Sequence, residues 1–145
     1  MHTIFLVILI GLIGGVAVGI QAPLINLISL RLGTFESVFI IHLGGAIAGL
    51  APLIYFGGGN LAAWQTVPWY ALAAGSLGMV VVGAISYAIP HVGAATTVVL
   101  IVVGQLVVGV YLDHFGLMGM ALRPLDIGRG LGIVVVLVGV WLLVR

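Results

Sequence analysis

From Ser37 to Leu112 the chain contains no Asp, Glu, Lys or Arg. Water does not tolerate so long a stretch without charge; hydrocarbon does. A soluble domain carries roughly 25% charged residues, whereas this chain has 5%, with 63% of its residues hydrophobic. A helix crossing ~30 Å of hydrocarbon needs about 20 mostly apolar residues. The 145 residues hold five such segments and little else. We therefore expect an all-α integral membrane bundle of five transmembrane helices, a single membrane domain with spans near 3–30, 35–56, 68–88, 93–112 and 127–144. A barrel is a poor fit, because barrel strands are short and alternate in polarity, and Val98–Val103 does not alternate. Residues 1–22 lack the positive start of a signal peptide and their apolar run continues past Pro23, so they read as an uncleaved first span.

Punctuation residues set the expected boundaries. Pro23 is expected to kink the first span, since proline removes a helix hydrogen bond, and Arg31 and Gly33 to end it. Residues 57–67 are glycine-rich and flanked by Trp64, Trp69 and Tyr70, residue types that favour the membrane interface. Pro90 and Gly93 mark a short turn. Residues 113–126 form the main charged loop.

Several function classes drop out. Four Arg and no Lys give a net charge of +1, which offers no basic patch for nucleic acid. Cysteine is absent, so neither disulfide nor Cys metal site is available. No nucleophile elbow or H-E-x-x-H motif occurs, and the 128–132 glycines lack dinucleotide-loop spacing. No catalytic residue, metal or cofactor is expected, and the chain does not read as an enzyme. Asp113 and His114 are adjacent, hence about 100° apart on a helix, and read as a polar helix end.

Polar groups inside spans are costly and usually face the bundle or a wet cavity. Gln21 shares a face with Gly11 and Gly14. His42, Gly45, Gly49 and Pro52 form one stripe, and Thr97, Ile101, Gln105 and Gly109 step by four along another. Gln21, Gln105, Thr97 and His42 are the expected substrate-binding residues of a central cavity. Interhelical hydrogen bonding is the competing role for the two glutamines, and a neutral core histidine for His42. His42 and Glu36 are the candidates for proton coupling; a first-turn carboxylate favoured by the helix dipole is the alternative for Glu36. Gly15/Gly19, Gly45/Gly49 and Gly128/Gly132 have the four-residue spacing that lets membrane helices approach closely.

Five crossings place the termini on opposite sides. Arg123 and Arg129 fall on one side, Arg31 and Arg145 on the other. Positive charge in short loops normally sets orientation, and here the bias is zero. Insertion both ways, with two copies pairing head-to-tail, is one expectation. A single orientation set by the N-terminal amine or a partner chain is the other.

Gly104-Gln105-Leu106, Leu112-Asp113-His114-Phe115-Gly116-Leu117, Arg123-Pro124-Leu125 and the glycine-punctuated span from Gly130 to Val144 resemble the YdcZ-type family of half-size, five-helix members of the bacterial drug/metabolite transporter superfamily. Gln21, Asn26 and Pro68-Trp69 fit the same pattern. The resemblance implies a multi-pass protein of the bacterial inner membrane that exports small molecules. It also implies kinship with ten-helix transporters built from two inverted halves, hence an antiparallel homodimer, or a heterodimer with a similar chain, working by alternating access. Energy would come from an ion gradient or a partner chain. Two other classes compete. A structural subunit would copurify with a larger complex and carry no saturable flux; a channel would show unitary currents.

Overall fold

Hydrocarbon offers no partner to a bare N–H or C=O, so each crossing segment must close its own backbone hydrogen bonds, and a helix does so within one segment. The computed structural model describes residues 2–145, and among them the regular secondary structure is all helix, with no strand. Even the β-branched run around Val98 is helix, although such residues are weaker helix formers in water. Five helices are long and apolar enough to cross a membrane: Thr3–Leu32, Thr34–Tyr55, Trp69–Val92, Ala94–Phe115 and Ile127–Val144.

The chain divides into two compact units, Met1–Pro90 and His91–Arg145. The first contains α1 (His2–Leu32), α2 (Thr34–Tyr55), a 3-10 segment Leu61–Thr66, the short α3 (Trp69–Leu72) and most of α4 (Ala74–Val92). A single residue, Gly33, separates α1 from α2. Its φ of 114° and ψ of 162° lie in a region nearly exclusive to glycine, and the Glu36 carboxylate occupies the space a side chain there would need. Across this turn Ser29 and Thr34 hydroxyls lie 3.3 Å apart, and the buried Ser37 hydroxyl donates to the Ile25 carbonyl at 3.2 Å. Ala22, Ile25 and Val38 are buried in this unit. Val82, Ile85, Ser86 and Ile89 line one buried face of α4.

The second unit pairs α5 (Ala94–Phe115) with α6 (Ile127–Val144). Gly93 opens α5 at φ 80°, and Gly116 closes it in the left-handed region at φ 61°. Asp126 caps α6, its side chain accepting the Arg129 backbone N–H at 2.7 Å.

One punctuation residue behaves differently from expectation. Pro90 lies inside α4, not in the turn, and the break falls at Gly93. Proline removes one donor near a helix end, whereas a positive φ interrupts the helix outright. The third span begins as α3, is interrupted at Ala73 and resumes as α4. The core is small for the number of apolar residues: no residue of α6 is buried, and only Thr97 is buried in α5. Leucine and valine faces left open in this way are at home against lipid tails, which are equally apolar.

Gly33→Ala is expected to lower the stability of the detergent-solubilised protein by about 1–3 kcal/mol, read from its unfolding midpoint. Glu36→Ala added to it should recover only the steric part of that loss.

Candidate functional site

His42 sits on α2, and its Nδ1–H donates to the Val38 carbonyl one turn earlier, at 2.7 Å. In the neutral ring this leaves the lone pair on Nε2. Nε2 faces Gly78 of α4, where an added Cβ would stand 2.5 Å away. Glycine at position 78 thus makes room for the imidazole between α2 and α4. An open groove of about 520 Å³ runs beside the ring, walled by Phe35, Phe39, Ser76 and Met79.

Glu36 lies in the first turn of α2 with its carboxylate folded against Gly33, where the helix dipole favours negative charge. Gln21 is exposed on α1. It lies eleven residues before Leu32, ~16 Å along the helix at 1.5 Å per residue, near half depth. Asn26 sits more than a turn inside α1, and its buried Oδ1 has no hydrogen-bond partner among the described residues. It therefore does not cap the helix.

In the second unit Thr97 is 1% exposed, and its hydroxyl donates to the Gly93 carbonyl at 2.8 Å. Gln105 lies at the middle of α5, exposed. It borders a groove of about 390 Å³ together with Leu106, Gly109, Asp113 and, from α6, Arg129. Asp113 is the next four-residue step after Gly109, so the Gln105 face of α5 ends on a carboxylate. Arg129 reaches across, its Nη2 2.7 Å from Asp113 Oδ2, both side chains about a third exposed (31% and 32%). Arg129 Nη1 donates to the Arg123 carbonyl at 2.6 Å. The Arg123 N–H donates to the Asp113 carbonyl at 2.8 Å, and the Leu125 N–H to His114 Nδ1 at 3.0 Å. Residues 113, 114 and 129 thereby fasten the connector between α5 and α6.

The glycine pairs stand open. No atom outside the local helix backbone comes within 4 Å of a Cβ placed at Gly15, Gly19, Gly45, Gly49 or Gly132, and at Gly128 only the neighbouring Asp126 carboxylate does. Sequence reasoning missed two participants. Nothing in the spacing singled out Gly78 among 23 glycines. Arg129 was counted only as a topology charge, although continuing the Gln105 stripe to Asp113 pointed toward a cationic partner.

Five apolar crossings, with polar side chains held inside four of them, define a multi-pass helical membrane protein. Residues 6–142 match the family described as "Putative inner membrane exporter, YdcZ". The chain is also 32% identical over 139 residues to "Inner membrane protein YdcZ" of Escherichia coli (strain K12), covering 90% of this chain and 91% of that protein. The chain belongs to the YdcZ family of inner-membrane exporters, which are transporters in kind. No solved structure matches it.

Gly78→Ala is expected to lower stability by about 1–3 kcal/mol, the range for overpacking, by pushing the imidazole aside. In a His42→Ala background the same change should cost much less. Additive losses in the double-mutant cycle would show that ring and glycine do not bear on one another.

Proposed function

We propose that the chain is a small-molecule secondary exporter that works as an antiparallel dimer of two five-helix halves, inserted in both orientations and alternating in access. The observation that carries this reading is Gln105. Its carboxamide lies at the midpoint of a 22-residue apolar helix, exposed and without a hydrogen-bond partner among the described residues. A carboxamide left facing lipid tails forfeits the hydrogen bonds it has in water, so a second copy or a substrate is the natural occupant beside it. Gln21 on α1 stands in the same condition. The open glycine faces at 15/19, 45/49 and 128/132 are where a second copy would approach closely.

Inverted halves supply two interchangeable conformations around one midplane site. Substrate contacts are assigned to Gln21, Gln105 and the Nε2 edge of His42. The Thr97 hydroxyl, already donated to Gly93, has only acceptor capacity to offer. For proton coupling His42 is the stronger candidate, because its Nε2 lone pair is available to take a proton, whereas the position of Glu36 suits a structural carboxylate. The equal division of arginines across the two sides favours a homodimer over a pair of unlike chains, each with its own bias.

The absence of cysteine allows single cysteines to be introduced directly, at Ala62 and Ala121. Both are exposed and neither has a positive φ. Labelling of intact cells with a membrane-impermeant thiol reagent should reach about half of each variant, and permeabilisation should expose the rest, as equal insertion both ways requires. Labelling of either site entirely from one side would rule out the inverted homodimer.

A further inference from the structure

The groove on the second unit ends in an ion pair whose bonding capacity is only partly used. Asp113 gives Oδ2 to Arg129, and among the described residues Oδ1 takes no hydrogen bond. A guanidinium has five N–H donors. Arg129 commits one to Asp113 and one to the Arg123 carbonyl. The connector does not depend on this pair alone, being also held by Arg123 N–H on the Asp113 carbonyl, Leu125 N–H on His114 and the Asp126 cap. Above the pair the groove wall is apolar, formed by Val102, Leu106 and Val110, with Gln105 farther in. Gln105 lies eight residues from Asp113, ~12 Å along the helix. Gly109 between them leaves the floor open.

The geometry points to this groove as a binding site for the zwitterionic head of a small amphipathic molecule, its ammonium on Asp113 Oδ1, its anionic group on Arg129 and its apolar body along Val102, Leu106 and Val110. A lone cation at Asp113 would be repelled by Arg129, whose Nη2 lies 2.7 Å from Asp113 Oδ2, and a lone anion at Arg129 would be repelled by Asp113. A zwitterion laid antiparallel to the pair meets opposite charge at both ends. Asp113 stands three residues before the helix-ending Gly116, close enough to the membrane boundary for the head to come from water, as a free amino acid, or from a phosphoethanolamine lipid. The assignment rests on the reading of Gln105 as part of the substrate path.

The test uses three probes with one side chain on the purified full-length protein: leucine, N-acetyl-leucine (anion) and leucinamide. The work is done near pH 6.5, below the ordinary α-amino pKa of about 7.7–8.0, so that leucinamide is a cation. Binding is read by calorimetry in phosphatidylglycerol nanodiscs, whose lipid carries no ammonium, and again with phosphatidylethanolamine present. Leucine is expected to bind about tenfold or more tightly than either singly charged analogue, the loss of one charge-assisted contact. Asp113→Asn should erase its advantage over N-acetyl-leucine. Gly109→Val fills the floor without touching the ion pair, so it should weaken leucine about tenfold while leaving the fold intact. Competition between phosphatidylethanolamine and leucine, or retention of that lipid in place of leucine, identifies the headgroup as the source and also supports the site. Equal binding of the three probes, or no binding of either leucine or phosphatidylethanolamine, overturns it. The readout is equilibrium binding, so it stands or falls separately from dual topology and from transport.

Discussion

Every element of this protein answers to the lack of water around its backbone. In hydrocarbon an unpaired peptide group costs several kcal/mol, so the chain stays helical wherever it crosses, through Pro23, Pro52 and Pro90 alike. The helix is interrupted mainly where a glycine reaches a φ that other residues avoid: Gly33, Gly93 and Gly116. Proline in this setting removes one donor, while a positive-φ glycine reverses the chain. That difference explains why the turns are so short and why the whole chain is occupied by membrane-spanning helix and its connectors.

With backbone bonding settled locally, the side chains have little driving force to pack within one copy. Lipid tails solvate leucine and valine as well as another helix would, and the buried set is accordingly short: Ala22, Ile25, Val38, Val82, Ile85 and Ile89. The contacts that do hold elements together are polar or steric and few. Ser37 bonds to Ile25, His42 seats on Gly78, and Arg129 spans to Asp113. Each joins two helices at one point and leaves long faces open. The apolar faces left open between these points are covered by lipid tails at little cost.

The fold was largely legible in the residues. Charge depletion and apolar length sufficed for five spans and for the all-helical class, because both follow from solvent alone. The Gln105–Pro124 stretch was legible as a family signature, and the match over residues 6–142 agrees with it. The candidate site was legible only in part. Gln105 and Gln21 announce themselves as amides in hydrocarbon, and His42 as an imidazole there. Their partners did not, since Gly78 is one glycine among many and Arg129 is sixteen residues from Asp113. Thr97 looked like a polar group available to a cavity and is instead buried against its own helix backbone.

What the sequence by itself determined is the solvent, the number of crossings and the even division of arginines, since each depends on composition and order and not on neighbours. What only the tertiary structure decided is which polar atoms already have partners. Ser37, Asp113 and Arg129 bond to groups far along the chain, while among the described residues Gln21, Gln105 and Nε2 of His42 have no such partner. That distinction rests on the rotation of each helix about its axis and on contacts between residues far apart in sequence. Helical periodicity places residues on a common face but does not say what that face meets.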